Sequence, residues 1–148
     1  AGIARRLVDL GVSGIDVAGA GGTSWSEVEA YRQNDGQKRR IAHSFAGWGI
    51  PTSIALSEVR RALPDTPLIA SGGIRSGVDV AKAIRLGADL VGMAAPTLAP
   101  AIETTDVVIA QMAAVAEELR VAMFCTGSAH LTELRQATIL DNRSALTL

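Results

Sequence analysis

Residues 68–95 read LIASGGIRSGVDVAKAIRLGADLVGMAA, and they carry the clearest fold signal in the chain. A short apolar run, Leu68–Ala70, leads straight into the glycine turn SGGIR, which is typical of a buried strand that ends at a loop. The next segment, GVDVAKAIRLG, has its apolar residues at helical spacing and ends on a glycine. Asp89–Met93 then predicts a second buried strand. Strand, helix and strand in this order indicate a right-handed βαβ unit with parallel strands.

The same order of elements continues on both sides of this unit. Upstream, an amphipathic helix with Ile3, Leu7 and Leu10 on one face precedes a strand in the run IDVAGAGG at 15–22. Residues 26–32 predict a short helix, a long polar loop extends to residue 51, and a helix follows from residue 53. Downstream of GMAAPTLAP, apolar residues at steps of three and four predict one long helix that ends at Gly127. The segment LTELRQATIL at 131–140 predicts a last helix, and the remaining residues predict a frayed tail.

Glycines follow each predicted strand, and this pattern selects between two α/β architectures. A doubly wound fold places its phosphate-binding glycines after the first strand only. Here AGAGG, SGG and GMAAP follow three successive strands, as expected for a (β/α)8 TIM barrel whose active loops share one face. The chain has 148 residues against the roughly 250 of a complete barrel, so it covers only some of the eight βα units.

Two strand-end motifs predict a phosphate site. Residues 71–75 (SGGIR) and 92–95 (GMAA) lie one βα unit apart, and glycines let backbone N–H groups approach an anion. Arg75 would neutralise the phosphate. The alternative is structural, because paired glycines also make tight turns and allow close strand packing.

The hydroxyls of Thr23 and Ser24 follow the first strand, where cofactors and substrates sit in barrels. Ser24 or Ser26, with Glu27 or Glu29, also forms a plausible capping box for the next helix. Trp25 would line an apolar pocket or belong to the core.

The composition argues against several classes of protein, including nucleic-acid-binding, disulfide-bonded and membrane-spanning proteins. Asp and Glu number 15 against 14 Lys and Arg, and the net charge of −1 argues against nucleic acid as a partner. The single cysteine, Cys125, allows no intrachain disulfide and is expected in the core, which fits a reducing cytoplasm. The most apolar stretch is interrupted by Pro96 and Pro100 and is too short for a membrane span. His43 and His130 lack a neighbouring triad partner, and Asp16 is expected either to be buried with a hydrogen-bonding partner or to face the barrel mouth.

At this point the motifs resemble a known family. IDVAGAGGTSW, GIPT, LIASGGIR with GMAAP, and MFCTG are together similar to the type 2 isopentenyl diphosphate isomerases, flavin enzymes of the FMN-binding barrel superfamily. The resemblance implies that residues 1–148 are the C-terminal part of a single FMN-binding TIM-barrel domain, about its last three βα units. It also implies interconversion of isopentenyl and dimethylallyl diphosphate in isoprenoid biosynthesis. Reduced FMN would act as acid and base, with Mg²⁺ as a second cofactor and NAD(P)H as the flavin reductant.

The resemblance assigns binding roles to matching positions. Ala18 stands where the family often has serine, so one flavin hydrogen bond is expected to be missing or made by the backbone. Trp25 is expected to border the isoprenoid chain. The residues expected to bind FMN are Thr23, Gly72, Gly73, Ile74, Arg75, Ala94 and Ala95. The phosphate would be held by backbone groups at 72–75 and closed off by the two alanines.

Other functional groups of the family lie in earlier strands that this chain does not contain. They are the Lys and Asn near the flavin, the basic residues for the diphosphate, and the Gln and Glu pair for substrate and Mg²⁺. The resemblance therefore implies no catalytic residue and no metal ligand in this chain. It also implies a fragment of a longer cytoplasmic enzyme that forms tetramers or octamers. Two alternatives stay open: an FMN-barrel oxidoreductase of the 2-hydroxy acid oxidase type, and a catalytically inactive fragment.

Overall fold

The computed structural model describes residues 1–140, which form a three-stranded parallel sheet with helices packed on one face. The tail predicted beyond residue 140 lies outside the described residues. The strands are β1 (Ile15–Val17), β2 (Leu68–Ala70) and β3 (Leu90–Val91). The helices are α1 (Gly2–Asp9), α2 (Trp25–Arg32), α3 (Gly36–Ser44), α4 (Thr52–Ala62), α5 (Gly77–Arg85), α6 (Ala95–Glu103), α7 (Thr105–Cys125) and α8 (Leu131–Leu134), with a 3₁₀ turn at Gly19–Gly21.

The strands lie in the order β1-β2-β3, as the βαβ pattern predicts. Ile15 pairs with Leu68 and Val17 with Ala70, and all four of these side chains are buried. Asp16, between the two buried residues of β1, is exposed on the opposite face. The core therefore lies between the sheet and the helices. α4 contributes Leu56 and Val59 to it, as the helical spacing predicts.

Helices α5 and α7 pack together through a close approach of their backbones. α5 packs against α7, and a Cβ on Gly77 would overlap the carbonyl oxygen of Val115. Glu118 of α7 accepts a hydrogen bond from the Gly77 N–H at 2.5 Å, which satisfies one of the free donors at the start of α5. Glycine at position 77 is thus required by packing.

The amino-terminal edge of the sheet is held by an ionic cluster around Asp89. Its carboxylate accepts the Leu68 N–H at 2.9 Å and forms ion pairs with Arg60 at 2.6 Å and Arg135 at 2.8 Å. Burial opposes ionisation of Asp89, but the Leu68 hydrogen bond and the two guanidinium charges outweigh it and lower the pKa of this carboxyl below 3.8. Arg60 also donates to the carbonyls of Leu63, Pro64, Thr66 and Gly87.

Several predicted boundaries are wrong, and each has a local reason. The polar segment expected to be a loop contains α3, because Asp35 caps its first turn by accepting from the N–H groups of Gln37 and Lys38. Downstream of β3, the predicted long helix is present as α7, and a further helix that was not predicted, α6, precedes it. α6 accommodates Pro96 in its first turn, where no N–H is needed. Thr104 caps the start of α7 by accepting from the Val107 N–H.

Other elements are shorter than predicted or face differently. β1 stops at Val17, β3 covers only two residues, and α8 ends at Leu134. The apolar face predicted for α1 is exposed, since Ala4 and Val8 contact the core in its place. Cys125, expected in the core, is also exposed.

Candidate functional site

The loops that follow the three strands meet at one edge of the sheet. Because the strands are parallel, their carboxyl ends point the same way, and residues 18–25, 71–75 and 92–95 line a common cavity. Its volume is about 740 Å³, within the range of small-molecule sites. The cavity therefore lies where the glycine motifs predict a ligand.

Every site residue predicted from the sequence lines this cavity. The structure brings together Thr23, Trp25, Gly72, Gly73, Ile74, Arg75, Ala94 and Ala95. It adds lining residues that were not assigned a role, including Ser71 and Met93. In the sequence both residues lie within the glycine motifs at 71–75 and 92–95.

The loop after β2 adopts a backbone shape that requires glycine. Gly72 and Gly73 have φ values of +73° and +85°, in the left-handed region that other residues rarely adopt. A Cβ on Gly72 would overlap the Ala18 carbonyl oxygen, and a Cβ on Gly73 would lie 2.5 Å from the Gly21 oxygen. The loops after β1 and β2 thus pack backbone against backbone, with no room for a side chain between them.

This packing leaves backbone donors free at the cavity. Within residues 1–140, the N–H groups of Gly72, Gly73, Ile74, Met93 and Ala94 donate to no other group. Ala94 and Ala95 also begin α6, whose dipole favours an anion at this end. Unbonded amides from two neighbouring loops make an arrangement suited to a phosphate.

Arg75 can contribute charge to this site but not its own amide. Its N–H donates to Asp79 Oδ2 at 3.2 Å. Its side chain is exposed and makes no ion pair within the described part of the chain. The guanidinium is therefore the group of Arg75 that is available to an anion. At the amino end of α5, Glu118 accepts the Gly77 N–H and Ser76 accepts the Asp79 N–H, so two of its first amides are already bonded.

Ser24 acts as a helix cap, and Trp25 does not belong to the core. Ser24 Oγ accepts from the Glu27 N–H at 3.3 Å, which confirms the predicted cap of α2, and donates to the Ala46 carbonyl at 2.7 Å. Trp25 is 78% exposed. It borders the main cavity and an adjoining cavity of about 340 Å³ lined also by Phe45 and Trp48.

Phe45 and Trp48 form an apolar wall beside the loop after β1. Their rings pack edge to face with centroids 5.8 Å apart and an interplanar angle of 69°. Ser26 Oγ of α2 holds the wall by donating to the Phe45 carbonyl at 2.7 Å. The adjoining cavity is therefore suited to an apolar group next to the phosphate site.

The structure places the three acid–base candidates of the sequence, Asp16, His43 and His130, at separate positions. Asp16 lies on the face of the sheet away from the helices and accepts a hydrogen bond from Ser71 Oγ at 2.7 Å. His43 is exposed on α3, and His130 Nε2 lies 3.5 Å from Glu133 Oε1 of α8. Neither histidine lines the main cavity.

Among the described residues, no three His, Cys, Asp or Glu side chains are placed to hold a metal ion. No helix in residues 1–140 has the length and apolarity to cross a bilayer.

Comparisons with known proteins agree with this geometry. The family model of FMN-dependent dehydrogenases matches residues 2–141. The isopentenyl-diphosphate delta-isomerase of Stutzerimonas stutzeri is 60% identical over 95% of this chain and 41% of its own length. That of Synechocystis is 51% identical over 99% of this chain and 42% of its own length. These matches confirm the resemblance on which the sequence interpretation rests, and the chain spans about two fifths of the length of these relatives.

Two solved structures of mandelate oxidase share this arrangement. A mandelate oxidase variant with a monooxide FMN adduct superposes with a TM-score of 0.69 at 29% identity, over 93% of this chain and 38% of the oxidase. Mandelate oxidase with benzoyl-formic acid gives a TM-score of 0.68 at 29% identity, over 93% of this chain and 35% of the oxidase.

Proposed function

Because the chain belongs to the FMN-dependent dehydrogenase family, we propose that the cavity at the strand ends is the FMN phosphate site of an isopentenyl-diphosphate delta-isomerase of the FMN-dependent type. The observation that carries the proposal is the set of unbonded amides at 72–74 and 93–94, formed where a Cβ would fill the space between the loops. Such a surface fits a phosphate dianion, which needs several donors at close approach.

Different lining residues would bind different parts of the ligands: the phosphate on one side, and the flavin and isoprenoid chain on the other. Gly72, Gly73 and Ile74 would donate backbone N–H groups to the phosphate, Ala94 and Ala95 would close the same site, and the Arg75 guanidinium would balance its charge. Thr23, which also lines the cavity, would contact the flavin. The aromatic wall beside it, with Trp25, would border the isoprenoid chain.

The side chains around the cavity support cofactor-based chemistry. None of the cavity-lining residues that the structure describes has a carboxylate, imidazole or thiol side chain that could take the role of acid or base. Reduced FMN bound here would supply the acid–base chemistry of the double-bond shift. The protein groups would position it and exclude water from the apolar side.

The wider assignments are part of the same proposal. Residues 1–148 would form the C-terminal part of one FMN-binding domain and supply about the last three βα units of a (β/α)8 barrel. Mg²⁺ would be held by groups outside this chain, and NAD(P)H would reduce the flavin. The enzyme would be a cytoplasmic tetramer or octamer. The similarity to relatives more than twice as long supports the first of these assignments, that the chain is part of a longer domain.

The test uses the full-length protein with FMN, Mg²⁺ and a reductant. Either substrate isomer should be converted into the other, which NMR of the isoprenoid protons detects. A protein that binds FMN and leaves both isomers unchanged would overturn the assigned activity while leaving the cofactor site intact.

Oxidation of a 2-hydroxy acid is the second candidate, favoured by the superposition with mandelate oxidase. Mixing the FMN-loaded protein with a 2-hydroxy acid in the absence of air would bleach the flavin absorbance if this candidate were correct. Retention of the flavin colour would exclude it.

A further inference from the structure

One hydroxyl outside the predicted site joins the two glycine loops. Thr52 Oγ1 lies 2.7 Å from the Ala18 carbonyl oxygen and 3.0 Å from that of Gly72, and it accepts the Gly21 N–H at 3.2 Å. These three partners belong to the loops after β1 and β2. Thr52 is therefore the point where both loops are attached to α4.

The hydroxyl is used for these loops and not for its own helix. Thr52 is the first residue of α4, and Pro51 before it makes no side-chain cap. Its surroundings leave little freedom: a Cβ on Gly19 would lie 2.5 Å from the Thr52 Cα, and one on Gly21 would lie 2.6 Å from Oγ1. The Ala20 N–H also donates to the Ile50 carbonyl at 2.8 Å, which holds the segment before Thr52 against the same loop.

Peptide planarity connects this contact to the cavity. Thr52 has one hydroxyl proton, which Ala18 O and Gly72 O share, while its lone pair takes the Gly21 N–H. The Gly72 oxygen and the Gly73 N–H belong to one trans peptide and point in opposite directions. Holding the oxygen against Thr52 therefore aims the Gly73 N–H, one of the unbonded donors, away from α4.

We propose that Thr52 is a positioning residue that orients the Gly72–Gly73 peptide toward the FMN phosphate, an inference that rests on the proposed function. Thr52 would not touch the cofactor. It would keep the donor in place before FMN binds, so that binding does not have to order the loop.

The experiment compares Thr52→Val, which keeps the shape and removes the hydroxyl, with Thr52→Ser, which keeps the hydroxyl. Ser53→Ala is the matched control, since Ser53 is the next hydroxyl on α4 and is exposed. The dissociation constants of FMN and of riboflavin, which lacks the phosphate, are measured on the full-length protein by fluorescence quenching. The ratio of the two constants isolates the phosphate site from any general loss of folding.

Thr52→Val should weaken FMN binding by about tenfold relative to riboflavin, the effect of one well-placed hydrogen bond. Thr52→Ser and Ser53→Ala should keep the ratio of the wild type. Should Thr52→Val not fold, Thr52→Ala replaces it with the same expected loss. A ratio unchanged in the variant lacking the hydroxyl overturns the role of Thr52, whereas a wild-type protein that binds no FMN overturns the proposed function itself.

Discussion

Gly73→Ala is the change that most directly tests the backbone cradle. The substitution adds one methyl group at a residue with φ of +85°, so alanine is strained there by about 1–2 kcal/mol whatever its surroundings. The new Cβ would also lie 2.5 Å from the Gly21 oxygen and 3.0 Å from its Cα. To relieve the overlap, the two loops must separate by about half an ångström. Overpacking of this kind lowers the free energy of unfolding by about 1–3 kcal/mol.

Gly127→Ala is the control that separates the cost of backbone strain from the cost of steric overlap. Gly127 also has a positive φ, +68°, but a Cβ there would meet nothing within 4 Å. Its substitution should therefore lower the free energy of unfolding by the strain alone. Gly73→Ala should lower it further, because the strain and the overlap act together.

The two variants should differ more clearly in cofactor binding. Separating the loops displaces the unbonded amides of Gly72 and Gly73, so Gly73→Ala should raise the Kd of FMN by at least about tenfold. Gly127 lies far along the chain, after α7, and Gly127→Ala should leave the Kd unchanged. Thermal melting of the flavin-free protein and fluorescence titration with FMN measure the two effects. Equal stability and equal affinity in the two variants would refute the idea that backbone contact shapes the cradle.

Three further predictions use other parts of the molecule. Arg75→Ala should weaken FMN binding several-fold but leave riboflavin binding unchanged, because the exposed guanidinium would face only the phosphate; a parallel loss for both flavins would contradict this role. Leu56→Ala, at a side chain that is 1% exposed, should lower the free energy of unfolding by about 2–5 kcal/mol in chemical denaturation, and a cost below 1 kcal/mol would mean the core is misassigned. Asp89→Asn should make stability less sensitive to acid. The pKa of Asp89 in the folded protein is held below its usual 3.8. Its contribution to the free energy of unfolding is therefore present above pH 3.8 and is lost as the pH falls through the pKa of the folded state. If melting temperatures of the variant at pH 3 to 7 kept the wild-type dependence on pH, that would count against the cluster with Arg60 and Arg135.

The parts of the fold that a single sequence predicts are those with a local physical signature. β2 and α5 follow from an apolar run, a glycine turn and a helical repeat, and Gly72 and Gly73 have the positive φ values that such turns need. α3 was missed because none of its residues is buried, so no apolar period marks it. Its only local signal is the cap at Asp35.

The predicted site residues all line the cavity, because each belongs to a segment that runs from a strand to the start of the next helix. Its supports were not predicted. The contact of Thr52 with Ala18 and Gly72 joins positions 34 and 20 residues apart, and no local pattern specifies such a contact. The bond between Asp16 and Ser71 spans 55 residues in the same way. Position along a strand predicts which residues reach an edge, but only the packed structure reveals what holds them there.

The two edges of the sheet are stabilised by different means, and this separation has a functional consequence. At the amino-terminal edge, Arg60 pairs with Asp89 and donates to neighbouring carbonyls, and Asp89 accepts the Leu68 N–H. At the carboxyl-terminal edge, charge is left free on Arg75, and order comes from glycine backbones in contact and from the hydroxyl of Thr52. This division suits the proposed anion site, because a carboxylate lining the cavity would repel a phosphate, and none of the described lining residues carries one. Stability can therefore be changed at the Asp89 cluster without altering the cradle, whereas any side chain added between the glycine loops alters both.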